Sequence, residues 1–535
     1  MTLARSAVLV GLVSFSAALL AHEEDSKAGG PSSTQLGKVA FANSCSAGVQ
    51  EKLLRGIAML HSFWYSAAEE TFQQVAAEDN QCVLAAWGFA SILMTNPLAG
   101  QGASAAGAQR AQAAIDKGRQ MGGRSQRERD YLDAVAAYYQ DFASRPERAR
   151  QAARAKAYEA LAAKYPNDDE AQIFYALYLA GTQLQSDQTY GAYLKAAAIL
   201  EQQFAKYPDH PGVAHYLIHS YDAPPIAQKG VPAAKRYAGI APDAPHALHM
   251  PSHIFTRVGA WNESAATNRR SADVALKGKD SDEALHAMDY MAYAYLQLAR
   301  DADARKVYEE GLQVSGTSPR FIAPYALTAM QARYVVERGA WNEAAKLEPL
   351  PLPAKYPFAE ANTHLARALG AARTGDAASA RADLAQISKK RDALKEANNE
   401  YWATEVEVMR LAASGWVALA EGRVEQALAD MRHAADIEDR NEKHIVTPGR
   451  ILPARELLGE MLLELKRPAQ ALQEFEASQL REPNRLRGLY GAGRAAAQAG
   501  DAGKAKLYFS RLVELAAKGE PRPEVSAARV WLAGN

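Results

Sequence analysis

The chain has 535 residues, enough for several domains or for one long repeat array. Its 61 basic and 61 acidic residues cancel, and no block of like charge stands out, which argues against a nucleic-acid-binding surface and against a polybasic membrane anchor. Alanine is abundant, glycine and proline recur at intervals and β-branched runs are scarce, a composition that favours short, closely packed helices.

The N-terminus has the pattern of a secretory signal. Arg5 supplies a positive start, and Ala7 to Ala21 form an apolar run too short to span a membrane comfortably. Residues 1–21 are therefore expected to be a signal peptide and 22–44 a flexible polar leader. The mature protein is expected to be exported, periplasmic or secreted, with no transmembrane segment. Its two cysteines are Cys45 and Cys82. In an exported protein such a pair is most simply one disulfide, here joining the first helical hairpin to the start of the second.

Helical patterns fill the rest. The stretches AKYPND and FAKYPDH end successive helical segments at Pro166 and Pro208, since proline cannot continue a helix. The segment from Asn96 to Gly107 is rich in Gly, Ala and Ser and reads as a loop. The stretch from His210 to Trp261 then concentrates six of the chain's 12 histidines. His215 and His219 are four apart, as are His249 and His253, so each pair shares a helix face. The second pair repeats the first, because 249 − 215 = 34 and 253 − 219 = 34.

A period of 34 is that of the tetratricopeptide (TPR) helix–turn–helix unit. Gly259, Trp261 and Ser264, then Gly339, Trp341 and Ala344, then Gly375 with Ala380 and Gly422 with Ala427 occupy matching places in four units. Gly459, Ala471, Phe475 and Pro483 fit a further unit, and Gly493, Gly500, Ala505 and Phe509 fit the next. The chain after residue 45 thus resembles TPR proteins. The resemblance implies an all-α, TPR-like α-solenoid of antiparallel helix pairs forming a right-handed superhelix. It divides into N-terminal repeats (45–210), central histidine-rich repeats (211–320) and C-terminal repeats (321–535). HSFWYSAAEETF, HYLIHSYD, HALHMPSHIFTRVGAW, HAMDYMAYAYLQ and PARELLGEMLLEL are also similar to segments of exported bacterial TPR proteins of unassigned function.

In TPR proteins the first helix of each unit lines a concave groove. Carried onto the units that start at Pro211, Pro245, Leu285 and Val49, the resemblance places His215, His219 and Asp222, then His246, His249, His253 and Arg257, then His286, Asp289 and Tyr293, and finally His61 in that groove. Neutral imidazole is a common ligand for Zn, Cu, Ni and Fe, and a metal needs three or four such groups converging within roughly 2.0–2.3 Å of one point. His215, His219, His249 and His253 are expected to converge on a transition metal (Zn, Cu or Fe), with His246, His286 and Asp289 close by. Asp222, Arg257, Asp289, Tyr293 and His61 are expected to complete a groove that binds a protein, peptide or small ligand. Pro251 would break an interior helical hydrogen bond unless a helix begins close to Met250. His364, His433 and His444 are isolated and read as ordinary polar or packing residues. HExxH, GxSxG, Walker A and GxGxxG motifs are absent. The competing reading is a metal-dependent enzyme with the histidine column as its active site.

Overall fold

The computed structural model of the chain describes residues 35–122, 125–318, 320–353 and 355–535. The expected signal peptide and most of the expected leader lie outside the described residues. Among those described there are α-helices, short 3-10 turns and no strand. The helices follow one another as antiparallel hairpins, as a TPR-like α-solenoid requires.

The hairpins close where the sequence pattern says they should. Between Pro251–Arg257 and Trp261–Lys277 the turn residue Gly259 has φ 69°, left-handed backbone that glycine adopts without steric cost. A Cβ there would also lie 2.5 Å from the Pro483 carbonyl oxygen. Inside the helices the recurrent small residue has a packing role. A Cβ on Gly459 would approach the Phe475 ring to 2.8 Å, and one on Gly493 would approach Phe509 to 2.5 Å. Each of these phenylalanines is buried and contributes roughly 1.5–3 kcal/mol.

Residues 35–44 depart from the expected flexible leader. Leu36 and Phe41 are buried, the Phe41 ring lies 5.4 Å from Trp87 and 5.0 Å from Tyr131, and the Lys38 amide donates to the Asp209 carbonyl at 3.0 Å. Just beyond, Cys45 and Cys82 form a disulfide with a Cα–Cα distance of 4.7 Å. No described helix is long and apolar enough to cross a membrane.

The array also closes on itself. The Trp261 indole donates to the Asn484 carbonyl at 2.7 Å, and the Leu486 amide donates to Gln297 at 3.0 Å. The Glu520 amide donates to the Ala299 carbonyl at 2.7 Å, and Arg522 donates to the Glu337 carbonyl at 3.1 Å. The irregular segment 441–453, between Val424–Asp439 and Ala454–Glu464, runs through the interior. Its Glu442 amide donates to Gln185 at 2.9 Å, Tyr290 donates to its Thr447 carbonyl at 3.0 Å, and Arg333 donates to its Gly449 carbonyl at 2.7 Å. It therefore touches N-terminal, central and C-terminal repeats together. The histidine column lies beneath it.

Candidate metal centre

Three helical segments carry the centre. Pro211–Ser220 starts with proline at a position that needs no amide donor, and the His210 ring accepts from the Val213 amide as its cap. The next segment is broken at Met250 into Pro245–His249 and Pro251–Arg257, each starting with proline. Pro251 thus sits where its missing N–H costs nothing. The third, Ser281–Gln297, is capped by Asp280, whose carboxylate accepts from the Glu283 amide.

The histidines gather as two triads. The ligand atoms of His215, His219 and His246 lie within 4.8 Å of one another, as do those of His249, His253 and His286. Each triad takes the i, i+4 pair of one unit and the leading histidine of the next. Within the pairs the Nε2 atoms face each other, at 3.1 Å for His215 and His219 and 3.0 Å for His249 and His253. The break at Met250 does not disturb the second pair. The four-histidine convergence expected from the sequence is therefore divided, and His246 and His286 are integral members.

Outer partners fix the protons. Asn268 donates its amide to the Ser264 carbonyl at 2.7 Å, so its Oδ1 accepts from His249 Nδ1 at 2.7 Å. His253 Nδ1 donates to Asp222 Oδ2 at 2.8 Å. His215 Nδ1 donates to the His61 carbonyl at 2.6 Å, and His246 Nδ1 donates to Glu283 at 3.0 Å. A neutral imidazole carries one proton. With that proton on Nδ1, the Nε2 atoms of His249 and His253 both present lone pairs across 3.0 Å. Buried Nε2 of His246 and Nδ1 of His219 have no hydrogen-bond partner.

Burial keeps these rings neutral. His215, His219, His249 and His253 are 0–2% exposed. Desolvation lowers His253 to about 4, against the opposing pull of Asp222, and lowers His286 to about 3. It holds His215, His219 and His249 well below the ordinary imidazole range, helped by the neighbouring histidines. Aromatic walls deepen the effect. The Phe63 ring lies 4.3 Å from His215, and the Tyr290 ring lies 4.7 Å from His249.

The other expected groove residues are not free to meet a ligand. Asp222 accepts from His253 and from Arg257 at 2.8 Å, and lies 3.5 Å from the Lys443 ammonium. Burial opposes its charge, but Lys443, Arg257 and His253 outweigh burial and hold the carboxyl far below its ordinary range. Arg257 also reaches Glu442 at 3.2 Å. Asp289 pairs with Arg333 instead of the triads, and burial raises it to about 6 in spite of that arginine. The Tyr293 hydroxyl bonds to Arg485 and to Glu482. The face expected to be an open groove is covered by segment 441–453. Of the three isolated histidines, His364 is bonded to Asp383, His444 is stacked on Trp402 and His433 is exposed.

His61 belongs to a separate cluster that sequence reasoning missed. Its Nε2 donates to Glu170 at 3.0 Å, its Nδ1 accepts from the Tyr216 hydroxyl at 2.9 Å, and His210 Nε2 donates to the other Glu170 oxygen at 2.9 Å. Glu170 lies 109 positions from His61, and no local pattern joins them. Lys443 and Asn268 were also overlooked. The only sequence signal for Lys443 was the helix-poor run HIVTPGRILP that follows Asn441, Glu442 and Lys443.

No model of a known protein family matches the chain, and no curated protein matches it. Among solved structures it is similar to a human IFIT1 dimer with m7Gppp-AAAA, at 13% identity and a TM-score of 0.34, over 77% of this chain and 87% of that one. It is also similar to an APC/C hetero-tetramer, Cut9-Hcn1, at 11% identity and a TM-score of 0.30, over 90% of this chain and 96% of that one.

Proposed function

We propose that this protein is an exported helical-repeat protein that binds transition-metal ions, one in each histidine triad. The observation that carries the reading is the pair of Nε2 contacts, at 3.1 and 3.0 Å. Two imidazole nitrogens bound to one ion, each ~2.0–2.1 Å from it, lie about 3 Å apart. For His249 and His253 the outer partners also direct both lone pairs into that gap, so a cation there converts repulsion into two bonds. Carboxylate, amide and carbonyl acceptors on the far nitrogens are the arrangement that orients metal-binding imidazoles. Zinc, copper and iron all suit such a set. The Cys45–Cys82 bond and the Arg5 to Ala21 pattern support an oxidising compartment outside the cytoplasm.

Elemental analysis of the full chain, purified without chelators, tests the reading. We expect two transition-metal ions per chain, falling to one in His249→Ala with circular dichroism unchanged. Protein that neither carries nor takes up zinc, copper or iron, and whose melting temperature ignores all three, overturns it.

A further inference from the structure

Four of the six imidazoles are sealed, and two are not. His246 and His286, one from each triad, line a cavity of about 430 Å³ whose walls include Phe63, Ile322, Val446 and Arg320. Exposed residues, among them Ser66, Gln101, Lys279 and Gly316, form part of the same lining and bring it to the surface.

The two triads also form one continuous body of rings. Within a triad, ring centroids are 4.1–6.5 Å apart, the extremes being His249–His286 and His219–His246. Between triads, His219 and His253 are 5.6 Å apart, and His246 and His249 are 5.8 Å apart. Spacing across the divide falls inside the range found within each half. These contacts are ring against ring, between pairs that recur at 34 residues and third members, His246 and His286, that lie 40 apart.

We propose that the two ions form a dinuclear centre that binds a small oxygen- or nitrogen-donor anion, entering through the cavity and bridging the metals beside His246 and His286. This rests on the metal-binding reading above. Three protein ligands leave a tetrahedral ion one position short, the arrangement of sites that take an exogenous ligand, whereas purely structural zinc sites are closed by four. Sealed rings and aromatic walls surround the centre elsewhere, so the vacant positions face the side where His246 and His286 meet the cavity. Two ions in adjoining sites are within reach of one bridging ligand when about 3.5–4 Å apart.

The test loads the full chain with Cu(II) and titrates it with azide, following optical absorption and electron paramagnetic resonance. We expect two coppers per chain and a new charge-transfer band that saturates at one azide per copper pair. The resonance amplitude should fall with it, as the bridged ions couple. Ile322→Trp, which fills the cavity, should keep both coppers and weaken azide at least about tenfold. If that variant does not fold, Ser66→Trp in the same lining serves instead. Two coppers that ignore azide, or bind it singly with undiminished resonance, overturn the bridged centre and leave metal binding standing. Unchanged azide affinity in a folded, cavity-filled variant overturns the route. A chain that takes up no copper overturns this proposal, and the metal-binding reading falls with it if zinc and iron are refused as well.

Discussion

Two histidine clusters adjoin each other where the N-terminal repeats meet the central ones, and His61 touches both. Its ring belongs to the cluster with Glu170 and His210, and its carbonyl accepts from His215 in the first triad. Both clusters bring imidazoles and their partners within 4.8 Å. They differ in their protons. Around Glu170 every ring nitrogen meets a partner of the opposite kind: two N–H groups donate to the carboxylate, while the other two nitrogens accept from Tyr216 and Val213. In the second triad, lone pair meets lone pair. Proximity of ligand types therefore does not tell the clusters apart; the unspent lone pairs do, and the metal-binding proposal rests on them.

That contrast can be broken most forcefully at Glu170. Replacing it with alanine leaves His61 and His210 with buried donors and no acceptor. Glu170→Ala should cost about 3–5 kcal/mol of stability in denaturant titration, with the metal count unchanged. A loss of bound metal on that replacement would erase the distinction between the clusters. The reverse test is Asn268→Leu, which fills the same space but frees the proton on His249 to move to Nε2. Metal affinity at that triad should fall about 10–100-fold, roughly 1.4–2.7 kcal/mol, with the helical signal preserved. Calorimetric titration showing equal affinity in both proteins would mean that the outer partner does not set the tautomer.

The smallest expected effect is on acid stability. Burial opposes the Glu170 charge, but His210 and His61 outweigh it and hold the carboxyl down to about 2, against an ordinary 4.5. A carboxyl lowered on folding contributes stability that is present above its ordinary value and is lost as pH falls toward the folded one. Between pH 4.5 and 3 that loss should be about 1.6 kcal/mol, and Glu170→Gln should flatten the slope. Parallel stability curves for the two proteins would show that the carboxyl does not titrate in this way.

Much of the fold was legible because it is local. A 34-residue period, glycine at the hairpin turns and proline at helix starts each act within one unit, and the structure realises them at Gly259, Pro211 and Pro251. The i, i+4 histidine pairs were legible for the same reason. What joins units was not. Assigning His246 and His286 each to the pair of the preceding unit depends on how far one repeat is displaced along the next, which periodicity leaves open. Segment 441–453 was invisible as an interior element because its burial follows from closure of the array. The docking of Leu36 and Phe41 was hidden because their partners, among them Trp87 and Tyr131, lie far along the chain.

Closure has a consequence for how the chain comes to be folded. In an open repeat array each unit contacts only its neighbours, so folding starts anywhere and spreads along the chain at low contact order. Here Glu442 must find Gln185 and Arg257, and Glu520 must find Ala299. Synthesis from the N-terminus delivers the central repeats long before those partners. Their histidine helices must wait, with Asp222 and Arg257 lacking Lys443 and Glu442, until the chain has been made past residue 450. Final assembly should thus be a late, concerted step rather than the last in a row of equivalent ones.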